Sequence, residues 1–275
     1  MTLADALKQA AAAGLDRLDA QMLLLLALGR DMNDRAWLLA HDTDPMPTDA
    51  AARCAELVHR RLAGEPVAYL AGEKDFFGLH LRVDARVLVP RPDTETLVQW
   101  ALDALPLNAA RCLDLGTGSG AIALAVKSQR PDVAVTATDT STGALAVARA
   151  NAERLGLTVD FCSGFWLQAV PGQRFDVIAS NPPYIAEGDQ HLAALTHEPM
   201  SALTAGPDGL DDIRTIVAQA PGALLPGGWL LLEHGHDQAA AVRALLQQQG
   251  FERVGSRTDL AGIERCSGGI WPQQR

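Results

Sequence analysis

The chain is 275 residues long, enough for one large domain or, more naturally, two. It is 48% hydrophobic, so a sizeable core is expected. Its net charge of -10 argues against nucleic-acid backbone as the main partner, because that affinity comes from clustered Lys and Arg.

Residues 2–62 are rich in Ala and Leu at helical spacing. Thr2 is a helix N-cap by type and Gly14 a stop. Asp16 to Leu28, Asn33 to Ala40 and Thr48 to Leu62 read as further helices, with Pro45 and Pro47 breaking the chain before the last. The first residues lack a basic start followed by an apolar stretch, so no signal peptide is expected. Met22 to Leu28 is too short to span a bilayer, which needs about 20 apolar residues. A small helical bundle follows, with a binding or positioning role, since it carries no cluster of acid, base or nucleophile. Gly64, Pro66, Gly72 and Gly78 punctuate the next stretch. There Phe76 to Val83 and Arg86 to Val89 read as a hairpin linking two domains, with Asp84-Ala85 between them.

From about residue 93 helices and strands alternate. Helices are expected at Asp93 to Leu105, Ser119 to Gln129, Thr142 to Leu155, Leu210 to Ala220 and Gln238 to Gln249. Strands are expected at Arg111 to Leu115, Val133 to Thr138, Thr158 to Cys162, Arg174 to Ser180 and Gly228 to Glu233. Such alternation implies an α/β fold with a parallel sheet covered on both faces. Two closing strands, near 251–257 and 263–271, have no helix between them and suggest an antiparallel end. Ile185 to Gly209 shows no clear element, and a loop that long is usually a functional lid. Cys54, Cys112, Cys162 and Cys266 form no Cys-x-x-Cys pair, which points to a reduced, cytoplasmic protein without a zinc site.

Two motifs carry chemistry. Asp114-Leu115-Gly116-Thr117-Gly118-Ser119-Gly120 joins a strand to a helix, and its glycines allow a tight turn close to a ligand. The next strand ends at Asp139, where a carboxylate can grip two ribose hydroxyls. Gly116, Gly118 and Ala121 satisfy the looser dinucleotide spacing, so a nicotinamide-dependent oxidoreductase stays open. Asp114, however, is awkward beside a pyrophosphate and comfortable beside an ammonium group. S-adenosylmethionine therefore fits the charge better. The second motif is Asn181-Pro182-Pro183-Tyr184. Two prolines cannot continue a sheet, so the strand stops at Asn181 and holds an amide at its carboxyl end. The Asn181 oxygen and the Pro182 carbonyl offer two acceptors, and Tyr184 a flat face. That set suits a planar –NH2 group, either a carboxamide or an adenine amine. His234 and His236 flank Gly235 without further metal-ligand partners at ligand spacing, so no metal is expected.

With both motifs in hand, the sequence resembles the bacterial peptide-chain-release-factor N5-glutamine methyltransferases, the PrmC/HemK family. The matching pieces include Gly64-Glu65-Pro66, Val89 to Glu95, Asp114 to Gly120, Asp139, Asn151, Ser180 to Ile185, Glu198-Pro199 and Leu232 to Gly235. The resemblance implies a seven-stranded class I S-adenosylmethionine-dependent (Rossmann-like) methyltransferase domain at 91–275. It also implies an N-terminal substrate-positioning domain at 1–73 and a hairpin linker at 74–90. Gly116, Thr117, Gly118, Ser119, Gly120 and Asp139 would hold the cofactor, with Phe165 or Trp166 packed on its adenine and Asn181 adjoining. Asn181, Pro182, Pro183 and Tyr184 would hold the glutamine of a Gly-Gly-Gln loop in a release factor. Gly164 stands where relatives tend to carry an acidic residue. Arg91 and Glu95 would line the cofactor site. The implied partner is a protein, with no nucleic acid or membrane, and the chain is expected to be a monomer. The rivals are an N6-adenine methyltransferase on nucleic acid and a non-catalytic cofactor-binding protein.

Overall fold

The computed structural model describes residues 1–273. Contacts between residues divide the chain into two compact units. The first is Met1–Glu73 with Ala194–His197, and the second is Lys74–Ala193 with Glu198–Arg275.

The first unit is helical: α1 (Leu3–Ala12), α2 (Arg17–Ala27), α3 (Arg35–Ala40), α4 (Thr48–Leu62) and α5 (Val67–Ala71). Thr2 and Asp5 form a reciprocal capping box, with Asp5 N donating to Thr2 Oγ1 at 3.2 Å and Thr2 N to Asp5 Oδ2 at 2.9 Å. Asp16 caps α2 through Leu18 N at 2.8 Å. Leu3, Leu24, Leu25 and Leu38 form a buried core. Arg61 on α4 is hydrogen-bonded to Asp19 on α2 at 2.7 Å. The short α5 was not foreseen in the sequence, because Pro66 and Gly72 bound it too closely for a periodic pattern to show.

The second unit opens with a hairpin of β1 (Glu73–Phe76) and β2 (Leu79–Arg82). The expected hairpin lay one turn too late. Phe77 (φ 48°) and Gly78 (φ 76°) take the positive angles of a tight two-residue turn, which splits the strand expected at 76–83. Residues 84–89 form no strand. Arg86 N instead donates to Asp84 Oδ1 at 3.0 Å, closing a local turn.

The remaining elements are α6 (Thr94–Ala104), β3 (Arg111–Leu115), α7 (Ala121–Gln129), β4 (Ala134–Asp139), α8 (Thr142–Leu155), β5 (Asp160–Ser163), β6 (Phe175–Ser180), α9 (Asp211–Gln219), β7 (Leu224–Glu233), α10 (Ala239–Gln249), β8 (Glu252–Thr258) and β9 (Glu264–Ile270). They build a seven-stranded sheet in the order β5-β4-β3-β6-β7-β9-β8. β9 pairs antiparallel to β7 and β8, and the other pairings are parallel. Successive side chains of each strand leave by opposite faces. Cys112, Val177 and Leu231 accordingly pack with α6 and α7, while Leu113, Ile178 and Leu230 pack with α9 and α10. Burial on both faces is what the unbroken apolar runs of β6 and β7 require.

The chain turns one way from β3 to β4 and the other way on returning to β6. The crevice outside the carboxyl ends of β3 and β6 is therefore the switch point of the sheet, where open α/β folds bind ligands. Both chemical motifs emerge there. Ile185 to Gly209 is more ordered than expected. It contains 3₁₀ turns at Gln190–Ala194 and Met200–Ala202, and a bridge between Ile185 and Thr204.

Candidate active site

A cavity of about 290 Å³ opens at this switch point. Its lining includes Gly116, Thr117, Gly118, Ser119, Asp139, Phe165, Trp166, Asn181 and Pro183. Gly120, Pro182 and Tyr184 do not line it.

The glycine loop is held by its neighbours in the sheet. Gly116 N and Thr117 N both donate to Thr138 O at 2.9 Å, and Gly118 N donates to Asp139 Oδ2 at 2.9 Å. Gly116 (φ 71°) and Gly118 (φ 56°) are left-handed, which favours glycine. A Cβ at Gly116 would meet the Trp166 ring at 3.2 Å, whereas one at Gly118 would meet nothing within 4 Å. The backbone at Gly118 therefore faces open space that a ligand can fill. Gly120 has a packing role, since a Cβ there would meet Leu124 at 2.9 Å.

Asp114 does not face this ligand space, contrary to the charge argument. It is fully buried beneath the loop, where Thr117 Oγ1 donates to its Oδ2 at 2.6 Å and Ala123 N at 3.1 Å. Its Oδ1 has no partner among the described residues, and burial pushes the carboxyl up to about 7. Asp139 does line the cavity. Its two oxygens accept from Gly118 N and, at 2.8 Å, from Ser141 N. Each retains a lone pair for a further donor.

Phe165 and Trp166 both line the cavity but are placed differently. Trp166 is 8% exposed, takes a positive φ of 45° and donates from Nε1 to Asp212 Oδ1 at 3.1 Å. It is wedged under Gly116. Phe165 is 45% exposed and offers its ring to the cavity. Gly164 precedes them, and a Cβ there would meet Ala169 Cβ at 2.9 Å.

Asn181 stands at the carboxyl end of β6, and its Nδ2 donates to Thr94 Oγ1 at 3.2 Å. Thr94 opens α6 and is itself buried. Tyr184 is tied by its carbonyl, which accepts from Gln238 Nε2 at 3.0 Å. Burial pushes its hydroxyl well above the ordinary range, so it stays neutral.

Arg91 lines the cavity and pairs with Glu198, which is 5% exposed and also accepts from Val89 N at 3.1 Å. Glu95 does not share that role. It accepts from Phe77 N at 2.9 Å and fastens the hairpin turn to α6. Asn151 holds the hairpin to the glycine loop, donating to Arg82 O and Ser119 O at 3.0 Å each. His234 is fully buried against Ser267 Oγ and Gly235 O. Thr94 and Asp212 were missed in the sequence. Asp212 gave no signal at all, being one acid among several at the start of a helix.

The family profile described as Methyltransferase small domain matches residues 93–205, and that described as PrmC N-terminal domain matches residues 2–72. A release factor glutamine methyltransferase of Bordetella pertussis is 56% identical over 260 residues, covering 93% of this chain and 95% of that protein. Its counterpart in Burkholderia pseudomallei is 51% identical over 271 residues, covering 95% and 94%. Among solved structures, a methyltransferase from Pyrococcus furiosus superposes with a TM-score of 0.55 at 21% identity, over 80% of this chain and all of that one. At that identity the likeness speaks for the fold alone. The sequence identities carry the further conclusion that the chain belongs to the release factor glutamine methyltransferase family.

Proposed function

We propose that the chain transfers a methyl group from S-adenosylmethionine to the side-chain amide nitrogen (N5) of the glutamine in the Gly-Gly-Gln motif of peptide chain release factors. The observation that carries this reading is the meeting of two motifs in one cavity. The glycine loop after β3 and Asn181 after β6 both line it.

When bound, S-adenosylmethionine supplies an electrophilic methyl group on a sulfonium centre. The open backbone at Gly118 and the remaining lone pairs of Asp139 suit its ribose and main chain. Phe165, the more exposed of the two aromatics, would pack on adenine, while Trp166 sits against Gly116. A carboxamide nitrogen is a weak nucleophile because its lone pair is delocalised into the carbonyl. Asn181 Oδ1 and the Pro182 carbonyl would accept hydrogen bonds from its two N–H groups and localise charge on nitrogen, one of those protons passing to solvent as the nitrogen–methyl bond forms and the sulfur–methyl bond breaks, while Tyr184, kept neutral, would pack against the amide plane. The rest is positioning and electrostatics. Residues 1–73 position the release factor, residues 74–90 link, and residues 91–275 carry the transfer by a monomer. No part of this reading needs a nucleic acid or a membrane. Among the described residues no helix is long and apolar enough to cross one.

Mass spectrometry tests the assignment. After incubation with cofactor and release factor, the Gly-Gly-Gln peptide is expected one methyl group heavier, on the glutamine. Methylation of adenine in DNA, with the peptide untouched, would overturn it.

A further inference from the structure

Glu233 ends β7 and takes no part in the scheme above. The register of β6 and β7 pairs Ser180 with Leu232, so the next residues along, Asn181 and Glu233, emerge side by side. Glu233 is 1% exposed and does not line the cavity. Its Oε2 has no hydrogen-bond partner among the described residues. The Thr94 hydroxyl and the Asn181 amide face it, and those two side chains are hydrogen-bonded to each other at 3.2 Å. A buried carboxylate without a close cation is costly, and packing alone would be served as well by a neutral side chain. Arg265 does not neutralise it directly, since its guanidinium is engaged by Asp93 at 3.4 Å and Asp259 at 3.1 Å.

We propose that Glu233 is a positioning residue: with Thr94 it holds the amide nitrogen of Asn181 from inside the protein and so turns the Asn181 carbonyl oxygen outward to the substrate. The inference rests on the reading of Asn181 as an acceptor for the glutamine amide. The two ends of an asparagine amide are alike in shape and opposite in hydrogen-bonding sense. Only neighbours decide which end faces which way. Here the inner neighbours are a carboxylate, which only accepts when ionised, and a hydroxyl with one proton to give. Nδ2 donates to Thr94 Oγ1 at 3.2 Å, which leaves the Thr94 proton for Glu233. Reversing the amide would set its oxygen against a buried carboxylate with no proton between them. The negative charge behind the amide also makes Asn181 Oδ1 a stronger acceptor for the substrate's N–H.

The charged and titratable groups facing Glu233 are Asp93 before α6, Arg265 and Cys266 on β9, and Tyr184 after β6. Burial outweighs the pull of Thr94, Arg265 and Asn181 and pushes the carboxyl up to about 7. The ionised form is the one that accepts. Protonation would turn it into a donor and release the amide, so turnover should rise with pH through that value.

Glu233→Gln in the full chain tests this. Thermal midpoint and S-adenosylmethionine affinity are expected to stay near wild type. The kcat for the release factor should fall by about a hundredfold, as for a misplaced reacting group, with KM little changed. The rise of kcat through pH about 7 should disappear. A second readout needs no turnover. The side-chain amide resonances of Asn181, assigned by their loss in Asn181→Ala, should titrate in the wild type and shift in Glu233→Gln. Unchanged kcat with unchanged resonances would overturn the proposal. Should Glu233→Gln fail to fold, Thr94→Val must give the same shift and loss, and an unaffected Thr94→Val would overturn it equally. If wild type methylates no release factor, the reading of the reaction fails, while the resonances still decide the contact.

Discussion

Asn181 and Asp139 line one cavity, and on the proposed reading they do different jobs there, which substitutions should separate. Asn181→Ala would remove the acceptor that the proposed reading aims at the reacting nitrogen. Turnover is expected to fall on the order of a hundred- to a thousandfold, with cofactor affinity measured by calorimetry nearly unchanged. Equal losses of both would contradict the role. Asp139→Ala removes an acceptor and also frees Gly118 N and Ser141 N. Cofactor affinity should drop by about tenfold or more, the scale of one hydrogen bond to a charged group, with less effect on kcat at saturation. Both residues were legible in the sequence for a local reason. The prolines after Asn181 end a strand, and Asp139 closes the strand after a glycine turn. Glu233 and Thr94 were not legible as site residues, because their meaning arises from the pairing of β7 with β6 and the seat of α6, which only long-range register decides. Asp114 was misread for a related reason. Its charge beside the glycine loop suggested an acid facing an ammonium group, but the carboxyl is buried beneath the loop, bound by Thr117 and Ala123.

At the scale of elements, the glycine loop and the turn after β5 set what the site can tolerate. An acidic residue is what the family resemblance implies at the position of Gly164, yet Ala169 leaves no room for a side chain there. Gly164→Asp should therefore lose about 1–3 kcal/mol of stability by overpacking rather than gain an adenine contact. A lowered thermal midpoint without tighter cofactor binding is the expected result. Burial of Asp114 is expected to make stability depend on pH. Its folded carboxyl titrates near 7 against 3.8 in its ordinary state, so between those values the folded chain holds a proton that the unfolded chain has released. Its contribution to stability is thus lost as pH rises through that window. Asp114→Asn should flatten this decline in thermal scans, and an unchanged slope would refute the assignment. The alternation of helices and strands was readable from period alone, and so was the antiparallel end. The hairpin was displaced because Phe77 adopts a positive φ that its type does not advertise. The stretch 185–209 was read as featureless because the Ile185–Thr204 bridge joins residues distant in sequence.

For the molecule as a whole, the net charge of -10 shapes the choice of partner. An adenine amine presents the same two protons as a glutamine amide, so the cavity alone does not choose between them. Without a surplus of Lys and Arg the chain is expected to show no strongly salt-dependent affinity for DNA. Tight binding that collapses between low and moderate salt would reopen the adenine reading. Specificity then lies with the protein that presents the glutamine. The most direct test is transfer of labelled methyl from S-adenosylmethionine to a purified release factor, beside the same factor with its Gly-Gly-Gln glutamine replaced. Label on the unaltered factor alone is the predicted result. Label on both, or on neither despite demonstrated cofactor binding, would contradict the account.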